Sequence, residues 1–214
     1  MKSASISPTF LKRIDEFLIL SYPHLRHEDE LYYLGEFTPR ALACHSPTNQ
    51  LIRNYKKEIS RKDLTDWHYK DEAIQKAANL FHLSIFHTPE IYIRMKNALL
   101  VPIPPSEVRS SAKYDDRNLK LLQHLSPQGN IFELLLQKES RPSLRVSKIR
   151  VPLALEDNYY LSTNNLSLAI QEIWLFDDVL TQGTTFRAAS NTIQKNFPNL
   201  KIVGFFIARS VYPS

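Results

Sequence analysis

One stretch in the last quarter of the chain constrains the fold more than any other. It runs from Trp174 to Thr185 and reads WLFDDVLTQGTT. Its apolar start is typical of a buried strand in a parallel sheet, and this strand leads directly into two adjacent carboxylates. A loop of hydroxyl residues around Gly183 follows. The chain has only four glycines, and this one stands where a tight turn beside a ligand needs a residue without a Cβ atom.

The residues after this loop predict a helix and then a second strand. Apolar residues with helical spacing precede Pro198; they are Phe186, Ala189, Ile193 and Phe197. The almost entirely apolar run 201–208 is typical of a buried strand. Strand, loop, helix and strand form a βαβ unit, in which a ligand binds at the carboxyl end of the first strand.

The side chains at that strand end favour two kinds of ligand group. The start of a helix offers backbone N–H groups and a positive dipole end to a phosphate, and threonine hydroxyls in the loop add donors. Asp177 and Asp178 repel a phosphate, but they accept hydrogen bonds from vicinal hydroxyls. A phosphate joined to a diol describes a ribose 5-phosphate.

The stretch resembles the signature of the type I phosphoribosyltransferases, in which four apolar residues precede two acids, two apolar residues and Thr-Thr-Gly-x-Thr. Gln182 stands where the family usually has threonine. The resemblance implies an α/β fold with a mainly parallel, twisted sheet flanked by helices. It also implies that Asp177 and Asp178 are catalytic and hold the ribose hydroxyls of phosphoribosyl pyrophosphate (PRPP). The implied 5-phosphate loop consists of Thr181, Gln182, Gly183, Thr184 and Thr185.

A second informative stretch, 99–106, is an apolar strand that ends in prolines. In the related family the loop after the first core strand contacts pyrophosphate, and the matching positions here are Pro105, Ser106 and Arg109. An ordinary polar surface loop is an equal alternative. Arg117, early in the helix predicted to follow, either caps a carboxylate or reaches the site.

The segment 141–150 is rich in basic residues. The resemblance implies a lid that closes over PRPP, with Arg145, Lys148 and Arg150 as the lid candidates. Alternating apolar residues in the same segment favour a β-hairpin arm instead, and contact with nucleic acid is a third alternative that rests only on charge.

The first 90 residues predict a mostly helical N-terminal extension or hood, and residues 91–214 the phosphoribosyltransferase-like core. Helices are expected from Ser7 to about Leu18, over 51–57 and over 71–81, with a strand or turn at 31–37. This order resembles the competence-associated, ComF-like branch of the family. Members of that branch often carry a zinc module of paired cysteines, which the single Cys44 cannot build.

Composition bears on the kind of ligand and on the cellular compartment that are expected. A net charge of +5 suits an anionic ligand but does not by itself indicate nucleic acid. A lone cysteine forms no intrachain disulfide, so a reducing cytoplasm is the expected compartment. No apolar run approaches 18 residues, so no membrane partner is expected.

The resulting hypothesis is a phosphoribosyltransferase that moves the 5-phosphoribosyl group of PRPP to an unidentified acceptor and releases pyrophosphate. Mg²⁺ is the expected cofactor, arriving with PRPP and held mostly by its oxygens and by water. The alternative is a non-catalytic subunit that senses PRPP or a nucleotide or that serves in an assembly, with nucleic-acid association left open. A homodimer and a place in a larger assembly both stay open.

Overall fold

A computed structural model of the protein describes residues 11–42, 45–142, 151–162 and 170–212. The strands are β1 (Lys12–Arg13), β2 (Glu30–Phe37), β3 (Leu99–Pro102), β4 (Leu135–Gln137), β5 (Tyr159–Leu161), β6 (Glu172–Leu180) and β7 (Lys201–Ser210). The helices are α1 (Pro47–Tyr55), α2 (His68–Phe86), α3 (Pro89–Met95), α4 (Arg117–Leu125), α5 (Pro152–Glu156) and α6 (Thr184–Asn196). Short 3-10 helices lie at Leu18–Ser21 and Ile59–Arg61.

The centre of the fold is a mostly parallel sheet in the order β1-β2-β7-β6-β3. Only β1 runs antiparallel to its neighbour. Strands β4 and β5 form a separate antiparallel pair, and Ile131 adds a single parallel bridge to Leu100 at the β3 edge. The protein is therefore a mixed α/β protein, as the sequence predicted.

Helices cover both faces of this sheet. The side chains of β6 alternate between the two faces, and those on each face are apolar and need to be covered. Trp174 and Phe176 face the cluster that contains residues of α1, α2, α3 and α4. Ile173 and Leu175 face the cluster formed with α5, α6 and the β4–β5 pair. All four side chains are buried. Because both faces are covered, β6 needs a continuous apolar run rather than an alternating one.

The predicted βαβ unit is confirmed as β6, α6 and β7, and the helix predicted over 71–81 is confirmed within the longer α2. The strand β6 continues past the acid pair to Leu180, further than the apolar run 173–176 indicates. The reason is that β7 continues beside it, with Val179 paired to Ala208. The two acids therefore lie on the last part of the strand and not in the loop.

Two element predictions need correction within the described residues. The helix expected from Ser7 to Leu18 does not cover residues 11–18, because Lys12 and Arg13 pair with the edge of β2 instead. The first ten residues lie outside the described part. The apolar run 131–137 predicts a strand, although its leucines also suit a helix. A strand is present there only at β4, because Ile131 makes one bridge and the chain then leaves the sheet. At 31–37 the strand alternative is confirmed.

The N-terminal region also supplies part of the sheet. Strand β2 lies beside β7, while α1 and α2 lie against one sheet face. The sheet thus takes strands from both sides of residue 90, and the boundary between extension and core stays a sequence prediction. Among the described helices, none is both long enough and apolar enough to cross a lipid bilayer.

An ion-pair cluster ties together the amino-terminal ends of three strands. Arg94 of α3 binds Glu30 at the start of β2 and Glu172 at the start of β6, and Lys201 at the start of β7 lies 2.7 Å from Glu30. Burial of Glu30 would raise its pKa, but hydrogen bonds from Arg94, Lys201 and Tyr32 outweigh it and lower the pKa to about 2. This cluster lies at the opposite end of β6 from the acid pair.

We expect Arg94→Met to lower the free energy of unfolding by about 1–3 kcal/mol at pH 7, because two partly buried carboxylates lose their shared cation. Urea unfolding measures the change. The pKa of Glu30 is lowered by folding, so the stabilisation is present above its ordinary pKa of 4.5 and is lost as pH falls towards 2. The difference between Arg94→Met and wild type should therefore shrink over that range.

The control for this experiment is Lys96→Met, which removes a cation that lies 4.8 Å from the ring centre of Tyr92. Its effect should stay within about 0.5 kcal/mol. An Arg94→Met effect no larger than that of the control, or one that does not depend on pH, would contradict the role assigned to the cluster.

Candidate functional site

The site lies at the carboxyl end of β6, where the strand gives way to a short loop and then to α6. Gly183 is the N-cap residue of α6 and has a φ of 80°, a left-handed conformation that favours glycine. Thr184 and Thr185 begin the helix. The sequence of acid pair, loop and helix start is therefore arranged as the motif predicts.

Asp178 is a buried carboxylate with a cation on each oxygen. Lys56, which caps the end of α1, lies 2.7 Å from Oδ1, and Arg117 at the start of α4 lies 2.7 Å from Oδ2. Only 7% of the Asp178 side chain is exposed. A charge this deeply buried requires such partners, so Asp178 fixes α1 and α4 against the end of the strand.

The ion pairs continue away from the strand. Arg117 also binds Asp115 at 2.6 Å, and Lys70 of α2 lies 2.8 Å from the same carboxylate oxygen. The Lys70 ammonium also donates to the backbone carbonyls of Tyr55 and Lys57. Five side chains thus form a row of alternating charge, which we call the charge row: Lys56, Asp178, Arg117, Asp115 and Lys70.

Asp177 has a different environment from its neighbour. It is only half-buried, and within the described residues its hydrogen bonds reach a single atom. That atom, Oδ1, accepts from the backbone N–H of Asp178 at 2.8 Å and from the amide of Asn118 at 3.3 Å. Asn118 is itself fixed, because it accepts from the hydroxyl of Tyr55 and donates to the carbonyl of Ile103.

The two environments drive the pKa values of the acids apart. Burial, followed by the negative charge of Asp178, raises the pKa of Asp177 to about 6. Burial would also raise the pKa of Asp178, but Lys56 and Arg117 outweigh it and lower the pKa to about 2. The two cations therefore favour the ionised form of Asp178, whereas burial and the neighbouring negative charge disfavour the ionised form of Asp177.

The loop is covered on one side by residues 22–29 of the same chain. A Cβ atom on Gly183 would lie 2.6 Å from Cδ2 of Leu25. The carbonyl of Gln182 accepts from the N–H of His24 at 3.3 Å, and Arg187 of α6 binds both the His24 carbonyl and Asp29. A phosphate held by the loop must therefore approach from the face that Leu25 leaves open.

The three residues matched to the pyrophosphate loop do not all face the acids. The carbonyls of Pro105 and Ser106 accept from Gln137 and from the N–H of Arg141. Pro105 lines a shallow cleft whose lining also includes Asn118. Arg109 is paired instead with Glu133, and more than half of its side chain is exposed.

The lid candidates Arg145, Lys148 and Arg150 lie outside the described residues. Two other atoms, Nε of Arg141 and the hydroxyl of Tyr159, are buried, and neither has a hydrogen bond of normal geometry to a described residue. Burial raises the pKa of Tyr159 to about 12. Tyr159 packs in the core, while Tyr160 beside it on β5 is exposed.

Several residues of the site carry no signal in the sequence. Lys56, Lys70 and Asn118 come from three separate helices or their ends, and no motif spacing links them to the acid pair. Arg117 was expected either to cap a carboxylate or to reach the site, and it does both. In the described part of the chain, no group of three His, Cys, Asp or Glu side chains is placed to bind a metal ion.

No protein-family model matches the chain, and no curated protein sequence matches it. The function has to be inferred from the residues and their geometry.

We expect the two acids to affect stability in opposite directions. Asp178→Asn should lower the free energy of unfolding at pH 8 by about 2–4 kcal/mol, because Lys56 and Arg117 lose their counter-ion. Asp177→Asn should raise it by about 1–3 kcal/mol at pH 8, because it removes a carboxylate that burial and Asp178 disfavour.

The pH dependence separates these effects. Folding raises the pKa of Asp177, so the protonated side chain favours the folded state. This contribution is fully present below the ordinary pKa of 3.8 and is lost as pH rises through about 6. The gain from Asp177→Asn should vanish at pH 4. Thermal unfolding at both pH values measures it, with Asp116→Asn, a partly exposed neighbour paired to Lys120, as the control. Equal losses for both acid variants would refute the assigned environments.

Proposed function

We propose that this protein has a type I phosphoribosyltransferase-like fold, binds PRPP, and transfers its 5-phosphoribosyl group to an acceptor with release of pyrophosphate. The observation that carries the proposal is the position of Asp177. Its half-buried carboxylate lies at the carboxyl end of a parallel strand, a few residues before the start of α6. A group for a diol and a group for a phosphate are therefore adjacent.

In this proposal Asp177 accepts hydrogen bonds from the ribose hydroxyls. The hydroxyls of Thr181 and Thr185 and the backbone of the loop donate to the 5-phosphate, supported by the dipole of α6. Asn118 holds Asp177 in place through its contact with Oδ1. Each donor contributes about 0.3–1 kcal/mol, so affinity requires that several converge on the phosphate.

Transfer breaks the bond between the anomeric carbon and a pyrophosphate oxygen, and positive charge develops on the ribose ring, as in glycoside cleavage. Ionised Asp177 and Asp178 supply negative potential near that charge. The leaving pyrophosphate gains negative charge and needs cations beside it.

Mg²⁺ suits this site as part of the bound ligand. Lys56 and Arg117 occupy both oxygens of Asp178, so Asp177 is the carboxylate of the pair that remains available to a hydrated ion. An ion held there with the ligand would offset negative charge on the departing pyrophosphate.

A second candidate function is PRPP or nucleotide sensing without catalysis, in a subunit of a larger assembly. Two observations favour it. The carboxylate of Asp178 is saturated by two cations, which leaves one acid for the ribose, and Leu25 covers one side of the loop. A site that binds PRPP without reacting needs no more than this.

We expect PRPP with Mg²⁺ to raise the midpoint of thermal unfolding, because a ligand that binds only the folded state stabilises it. Asp177→Asn should abolish this shift relative to its own unliganded midpoint, while the matched Asp116→Asn should retain it. The same measurement with ribose 5-phosphate in place of PRPP shows how much of the shift depends on the pyrophosphate group. No shift for wild type at millimolar PRPP would refute the proposal.

Release of pyrophosphate distinguishes the two candidate functions. Wild type is incubated with PRPP, Mg²⁺ and a panel of nucleobases and amines, and released pyrophosphate is measured by a coupled assay. Release that requires one acceptor and is lost in Asp177→Asn supports transfer. PRPP binding with no release across the panel supports sensing.

A further inference from the structure

Two cations of the charge row are more exposed than its carboxylates. In the charge row the side chains of Asp178 and Asp115 are 7% and 9% exposed. Those of Lys56 and Arg117 are 40% and 21% exposed. Lys56 and Arg117 are thus the most exposed side chains of the charge row. A ligand can contact them more readily than Asp178 or Asp115.

Both cations keep hydrogen-bond donors beyond those that the charge row uses. An ammonium has three donors, and the ion pair with Asp178 occupies one of those on Lys56. Arg117 directs its two terminal nitrogens at Asp115 and Asp178, and its Nε is buried with no hydrogen-bond partner among the described residues. Each terminal nitrogen of Arg117 carries a second N–H, so donors remain beyond the two that bind the carboxylates.

We propose that Lys56 and Arg117 form an oxyanion-binding pair that takes phosphate or pyrophosphate oxygens of the ligand, with Asp178 as its built-in counter-ion. The inference deepens the proposed function, because the identity of the ligand as PRPP rests on that function. It assigns an anion site to a lysine from the N-terminal helices, which the motif at residues 174–185 does not include. Arg109, with its guanidinium on Glu133, is not part of this pair.

Asp178 explains how two cations are held together without a ligand. Lys56 and Arg117 bind opposite oxygens of one carboxylate, so their mutual repulsion is offset inside the protein. Asp115 and Lys70 extend the same alternation and anchor Arg117 to α2. When an oxyanion arrives, each cation can keep its bond to Asp178 and donate to the ligand as well.

The sequence offers a closely matched control, because Lys57 follows Lys56 directly. Its ammonium lies 2.9 Å from the carboxylate of Asp66 and donates to the Asp66 carbonyl, away from the acid pair. Lys56→Met and Lys57→Met therefore remove the same charge from the same segment, but only the first changes the proposed anion site. Lys56→Arg keeps the cation and serves as the rescue variant.

Isothermal titration of these proteins with PRPP and, separately, with pyrophosphate, each with Mg²⁺, tests the inference. We expect Lys56→Met to weaken binding of both at least tenfold, Lys57→Met to change it less than twofold, and Lys56→Arg to recover most of the loss. Binding by Lys56→Met should also depend less steeply on salt, because one ligand-facing charge is gone. A purely structural lysine would change the unfolding midpoint without changing the salt dependence.

The outcomes separate this inference from the proposed function. If wild type binds PRPP and Lys56→Met binds it equally well or more tightly, the anion pair is refuted and the proposed function stands. If pyrophosphate binds in a Lys56-dependent way but PRPP does not, the anion pair stands and the PRPP function is refuted. If neither ligand binds to wild type, both are refuted.

Discussion

The burial of the Asp178 carboxylate is the constraint on which the site depends. A carboxylate removed from water at the end of β6 costs several kcal/mol unless cations replace its hydration. Lys56 and Arg117 supply that replacement, each 2.7 Å from one oxygen. They come from α1 and α4, and Arg117 is in turn held by Asp115 and so by Lys70 of α2. One buried charge thus decides how three helices meet the strand.

The same constraint gives two adjacent, chemically identical residues different roles. Asp178 lies against the end of α1 and the start of α4, whose Lys56 and Arg117 bind its two oxygens. Within the described residues Asp177 makes no ion pair. It keeps partial exposure and a raised pKa, which suits a group that exchanges hydrogen bonds with a ligand. The proposed split between a ligand-facing acid and a counter-ion follows from these different partners.

The sequence was most informative where a local pattern determines the structure. The stripe from Phe186 to Phe197 and the apolar runs on either side predicted β6, α6 and β7, because periodicity reports which face of an element is buried. It was least informative at 11–18, where helical spacing around Ile14 is overridden by pairing of Lys12 and Arg13 with β2. No local pattern shows that a strand edge is available there, because that edge is formed by residues 30–37.

By itself, the sequence determined the βαβ unit, the acid pair at its strand end and the glycine that the turn needs, since each depends on neighbours within a few residues. Only the tertiary structure decided which cations meet Asp178, that Leu25 lies against Gly183, and that Arg109 turns to Glu133. These contacts join segments far apart in the chain. Charge pairing and close packing depend on distances in space, and spacing along the sequence does not contain those distances.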